Sequence, residues 1–165
     1  MTGIPNQTAS EEHQLIITRT LNAPQALVWR AFSDPAHLSR WWGPAGFTNP
    51  VCELDFRVGG HWHNVMRGPD GSEYPTDFTF VEIVEPERVV FRNAPARGEV
   101  WGDNPPPSFV RTITFEDIDG RQTLLTIHAV FDSLEHKEAV VRRGWIDGTN
   151  ESFDKLEALL SMEAR

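Results

Sequence analysis

The spacing of apolar positions along the chain changes period twice, and those changes outline the fold. Leu15-Ile16-Ile17-Thr18-Arg19-Thr20-Leu21 is rich in β-branched residues and predicts a first strand. Asn22-Ala23-Pro24 then opens a helix, with proline in its first turn and Leu27, Val28, Ala31 and Phe32 forming an apolar stripe. Asp34-Pro35 interrupts it. A second short helix is expected from Pro35 to about Trp42, ended by Gly43-Pro44.

From there a period of two takes over. It predicts strands over Val51–Arg57, His61–Arg67, Asp77–Val84, Arg88–Asn93, Phe109–Glu116 and Gln122–Phe131, separated by turns rich in glycine, proline and aspartate. The stretch from Ala94 to Ser108 carries too many prolines for a hairpin and is expected to be a mobile loop. After Ser133, a good capping residue, the period becomes helical again. Val140, Val141, Trp145, Thr149, Ser152, Phe153, Leu156, Leu159 and Leu160 form the inward side of this last helix.

Strand, two short helices, six strands and a long helix is an α+β order. The expected fold is a curved seven-stranded antiparallel sheet wrapped around the C-terminal helix. Residues 14–163 are expected to form one domain behind a flexible tail, residues 1–13.

Matching faces across one hairpin refines the expectation. A three-residue loop at Val58-Gly59-Gly60 pairs Phe56 with Trp62, Leu54 with Asn64 and Cys52 with Met66, which turns Trp62 and Met66 inward. In the last helix Gly144 and Gly148 lie one turn apart. They predict either room for a ligand between helix and sheet, or close strand packing or a kink dividing the helix.

Composition narrows the partners. With 24 acidic and 15 basic residues the formal net charge is −9, a poor match for nucleic acid or an anionic membrane. No apolar run is long enough to span a bilayer, so no membrane insertion is expected. A single cysteine, Cys52, and a polar start without a secretory pattern point to the cytoplasm. A two-fold homodimer is the default expectation for assembly.

Candidate chemistry is sparse. His61 and His63 share a strand face with Glu53 and Asp55, which reads as a solvated charged surface rather than a metal site; no HExxH or CxxC pattern is present. No metal or cofactor is implied. No nucleophile elbow occurs, and Cys52 is expected to face inward as a small hydrophobe. His128, on the last strand, and Asp147, Asn150 and Glu151, in the last helix, are the candidates for acid–base catalysis, with His128 tuned for proton transfer where it points inward near one of these carboxylates.

The aromatic residues bear more directly on binding. Trp41 and Trp42 are consecutive on a helix and so about 100° apart, one expected to pack inward and the other to line a cavity mouth. Trp101, in the proline-rich loop, is a candidate lid. The expected ligand-binding set is Trp41, Trp42, Phe47, Trp62, Met66, Phe78, Phe80, Phe91, Trp101, Trp145, Gly148, Thr149 and Ser152.

Several motifs in order carry a family resemblance: Arg40-Trp41-Trp42-Gly43-Pro44, Gly59-Gly60-His61-Trp62, Met66-Arg67-Gly68-Pro69-Asp70-Gly71, Pro86-Glu87-Arg88-Val89-Val90-Phe91 and Gly144-Trp145. From about Gln14 to Leu160 the chain resembles the bacterial homologues of the Hsp90 ATPase activator, within the START/Bet v 1-like superfamily. The resemblance implies the helix-grip fold and a cavity between sheet and C-terminal helix. It also implies three readings of function. The first is binding of an apolar or aromatic small molecule; the second is a cyclase- or hydrolase-like enzyme using polar groups in the same pocket. The third is a stress-linked module that contacts a chaperone. The eukaryotic activator's separate N-terminal domain has no counterpart expected here. A cavity of about 300 Å³ or more would favour the first two readings; an exposed apolar patch and a filled interior would favour the third.

Overall fold

Each expected strand alternates inward apolar with outward polar residues, and the sheet forms as that pattern requires. The computed structural model describes residues 8–94, 99–102 and 105–163. Its strands are β1 (Thr8–Glu11), β2 (Gln14–Leu21), β3 (Thr48–Leu54), β4 (His61–Arg67), β5 (Glu73–Val84), β6 (Arg88–Asn93), β7 (Val110–Asp117) and β8 (Thr123–Val130). They build one antiparallel sheet in the order β1-β2-β8-β7-β6-β5-β4-β3. The seven expected strands are all present. The eighth, β1, lies within the segment expected as a tail and pairs Thr8 with Ile17 and Glu11 with Gln14. Backbone donors on the free edge of β2 provide the reason: a short strand there satisfies them.

Helices α1 (Gln25–Ser33) and α2 (Pro35–Trp41) fill the crossover from β2 to β3. Asp34 caps α2, accepting the Ala36 N–H at 2.9 Å, with Pro35 in the first turn. The C-terminal helix is divided into α3 (Leu134–Arg142), capped by Ser133, and α4 (Trp145–Glu163). Gly144 sits between them at φ +86°, a left-handed conformation that ends α3 and restarts the chain in a new direction. The kink is therefore at the first glycine of the pair.

The β3–β4 hairpin has a different register from the one expected. Leu54 pairs with Trp62, Cys52 with Asn64 and Val51 with Val65. The shift is two residues, so the faces are unchanged and Trp62 still points inward. The loop is longer because its backbone is bonded elsewhere: Gly59 N–H donates to the Phe80 carbonyl on β5 and Phe80 N–H to the Gly60 carbonyl. Phe56, released from pairing, packs its ring edge-on to Trp29 at 5.6 Å and Phe80 at 5.1 Å.

The main core lies between the concave face and α1, α2 and α4, around Phe32, Trp41, Trp62, Phe80, Phe91 and Leu156. A smaller cluster of Leu15, Phe109, Ala129, Phe131 and Val140 sits toward α3. Between the two clusters the packing is incomplete, and a cavity remains.

Candidate functional site: a cavity between sheet and helix

The cavity has a volume of about 240 Å³ and is walled by inward residues of β4–β8, the end of α2, and the α3–α4 junction. Nine of the thirteen expected ligand-binding residues line it: Trp41, Trp42, Met66, Phe78, Trp101, Trp145, Gly148, Thr149 and Ser152. Four do not. Trp62, Phe80 and Phe91 are fully buried in the closed core behind it. Phe47 lies outside, its ring 6.0 Å from Tyr74 and against Gly68.

The consecutive pair divides between core and cavity: Trp41 is fully buried, while Trp42 is half-buried and lines the cavity. Trp42 has left the helix, with φ −64° and ψ 138°, so its side chain is not set by helical rotation. Trp41 is fully buried and donates its indole N–H to the Ala31 carbonyl at 2.9 Å. Trp42 stands edge-on to Trp62, with ring centroids 4.6 Å apart.

The segment after α2 forms the rim, held from two sides. Asn49 donates to the carbonyls of Ser39 and Trp42, at 2.9 and 2.8 Å. From α4, Ser152 donates to the Gly43 carbonyl at 2.8 Å, and Lys155 Nζ donates to the carbonyls of Trp42, Pro44 and Phe47. Burial pushes the Lys155 ammonium below its ordinary value, while Glu151 opposes the change. A Cβ on Gly148 would lie 3.3 Å from the Pro44 ring, so this glycine lets rim and helix approach closely.

Trp101, the expected lid, belongs to a short 3-10 turn (Glu99–Trp101) and lines the cavity. Its ring meets Tyr74 at 5.2 Å, and the Arg143 guanidinium stands 6.0 Å over it. Its indole N–H is buried without a hydrogen-bond partner. Part of the expected mobile loop, residues 95–98 and 103–104, lies outside the described residues.

The cavity contains one residue that the aromatic pattern did not select. Arg111 on β7 alternates with the inward residues Phe109 and Ile113, and its side chain occupies a core position. Its guanidinium carbon lies 4.4 Å from the Phe109 ring centroid, 5.4 Å from Phe78, 5.5 Å from Phe91 and 5.8 Å from Trp42. Although surrounded by protein, it keeps some accessible surface because it forms part of the cavity wall. Burial pushes it down to about 9, still cationic at neutral pH. Its Nε has no hydrogen-bond partner. The available signal in the sequence was the period-two pattern, which places Arg111 on the apolar face of its strand.

His128 is elsewhere. It points to the opposite face of β8, where its Nε2 lies 2.8 Å from the Gln14 side-chain oxygen. It is not among the cavity residues, because the sheet's alternation turns Ile127 inward instead. His63 pairs with Asp77 at 2.7 Å, and His61 is exposed. Among the described residues no group of three or more His, Cys, Asp or Glu is placed to hold a metal. No described helix is long and apolar enough to cross a membrane.

A curved antiparallel sheet gripping a C-terminal helix, with an aromatic cavity between them, defines a helix-grip protein. The chain belongs to the family described as activator of Hsp90 ATPase homolog 1-like protein, whose model matches residues 22–161. Its solved relatives share the whole fold. A protein from Nitrosomonas europaea is 25% identical, with a TM-score of 0.82 over 94% of this chain and 99% of that one. One from Mycobacterium smegmatis is 28% identical, with a TM-score of 0.83 over 95% and 98%. One from Arthrobacter aurescens is 26% identical, with a TM-score of 0.83 over 94% and 91%. No match was found among curated proteins.

Proposed function

We propose that this protein binds a small aromatic or apolar molecule in the cavity between its sheet and α4. The observation that carries the reading is the cavity itself, an aromatic-lined space of about 240 Å³ left open within a packed core. Protein interiors close such spaces unless something keeps them, since an unfilled cavity sacrifices dispersion contacts. An apolar cavity of roughly 150 Å³ already accommodates benzene. The volume here suits one or two rings and falls below the range of about 300–1,000 Å³ that holds drug-sized ligands.

The enzyme reading finds less support. Acid–base chemistry needs a titratable group near neutrality in the pocket. The described lining residues include two arginines but no histidine, aspartate, glutamate, lysine or tyrosine. The chaperone reading expected a filled interior, and the large exposed apolar residues lie on separate turns and elements, such as Val58, Ile118, Leu134 and Met162.

Native mass spectrometry of protein purified from its own host tests the proposal. A co-purifying small molecule, displaced by added naphthalene derivatives, is the expected result. Saturating such probes without any change in melting temperature or tryptophan emission would overturn it, because Trp42 and Trp101 line the space.

A further inference from the structure

We infer that the ligand carries a negative charge: a small aromatic acid whose carboxylate pairs with Arg111 and whose apolar body lies against Trp42, Phe78 and Phe109. This rests on the reading of the cavity as a binding site and specifies its chemistry. Arg19 on β2 is also an inward-facing arginine, and it is fully engaged. Its Nη1 donates to Asp154 at 2.8 Å and to Glu157 at 2.9 Å, while Nη2 donates to the Asn150 carbonyl at 3.2 Å. Lys155 has three carbonyl acceptors. The fold thus supplies oxygen acceptors to its structural cations.

Arg111 has none of this. No ion pair to it exists among the described residues, and its Nε is buried without a hydrogen-bond partner. Rings of Phe109, Phe78, Phe91 and Trp42 surround it instead. Aromatic faces attract a cation but accept no full hydrogen bond, and a guanidinium has five N–H groups to satisfy. The planar fork of that guanidinium matches a carboxylate in two parallel bonds.

The rest of the cavity's polar inventory points the same way. Thr76, Asn93 and Ser152 spend their donors on backbone carbonyls. Among the described lining residues, Arg111 Nε and the Trp101 indole N–H are buried without a hydrogen-bond partner, so the space presents unpaired donors. Arg143, exposed at the mouth, adds a second positive charge, and no described lining residue is acidic. A chain of net charge −9 has therefore built a locally cationic cavity, the opposite of its average surface.

Matched probes differing only in charge provide the test. Calorimetric titration of the full chain would compare 2-naphthoate with 2-naphthalenemethanol, and benzoate with benzyl alcohol, on the wild type, Arg111→Met and Arg111→Lys. The expected result is that the acids bind about tenfold or more tightly than the alcohols on the wild type. Arg111→Met should abolish that preference, bringing the acid's affinity to or below that of the matched alcohol on the same variant, and Arg111→Lys should keep part of it. The Arg111 Nε–H resonance should shift on adding 2-naphthoate. Equal binding of acid and alcohol would overturn the charge assignment and leave the cavity reading intact. Failure of every probe, neutral and charged, would overturn both. Circular dichroism and melting curves of the variants establish that lost preference is not lost folding.

Discussion

The guanidinium of Arg19, on β2, donates to Asp154, on α4, at 2.8 Å and locks the helix across the concave face of the sheet. The Arg19 side chain is 10% exposed, whereas those of Asp154 and Glu157 are 69% and 46% exposed. This asymmetry decides which partner matters. Removing the arginine leaves two acids that water can solvate. Removing both acids leaves a buried cation without its counter-charges. Asp154→Asn with Glu157→Gln is therefore expected to cost about 1–3 kcal/mol, and Arg19→Met less. Chemical denaturation of the three proteins checks the order, and a larger loss in Arg19→Met would contradict it.

Element order was legible in the sequence because it follows from apolar period and turn residues, which are local. The hairpin register differs from the expected one because it depends on longer-range bonds. The hairpin register was set by Gly59 and Gly60 bonding to Phe80, some twenty residues away in sequence. The cavity was suggested by the paired glycines, and each has a different role: Gly144 turns the chain and Gly148 admits Pro44. An aromatic pattern cannot select Arg111, because a charged side chain on an inward strand position carries no apolar signal. Its significance appears only when its missing partners can be counted.

Gly59 and Gly60 are adjacent but should respond differently to substitution. Gly59 has φ +83° with open space around its Cβ position, so Gly59→Ala meets only backbone strain, about 1 kcal/mol. A Cβ on Gly60 would collide with the Asp55 carbonyl and approach the Arg57 carbonyl at 2.9 Å, both backbone atoms that cannot swing aside. Gly60→Ala is expected to cost about 3 kcal/mol or more. Melting temperatures of the two variants test the ranking.

Burial pushes the Cys52 thiol up, against a smaller opposing influence of the neighbouring Trp62. The thiolate is the reactive form, so fewer reactive molecules exist at mildly alkaline pH. Alkylation by iodoacetamide near pH 8 should be about tenfold slower in the folded protein than in denaturant. Mass spectrometry over time reads the rate directly. Equal rates would place Cys52 in a more open environment than the inner side of β3.

Arg111 should make the empty protein less stable than it need be. A partly buried charge with an unsatisfied Nε is costly, and an apolar residue of similar length removes the penalty, so Arg111→Met is expected to stabilise the ligand-free protein by about 1 kcal/mol. The pH dependence has a definite sign. The guanidinium is held down at about 9 in the folded chain, well below its ordinary value, so above about pH 9 the unfolded state binds more protons than the folded one. Stability from this group therefore rises with pH in that window, and the penalty is fully present below it. The stability difference between Arg111→Met and the wild type should be constant from pH 6 to about pH 8 and shrink toward pH 11. A saturating aromatic acid should narrow the same difference at neutral pH, because it supplies the counter-charge and binds only the folded wild type tightly. Denaturation curves at several pH values, with and without 2-naphthoate, separate the two effects. A variant less stable than the wild type under all these conditions would mean that the four surrounding rings already satisfy the cation.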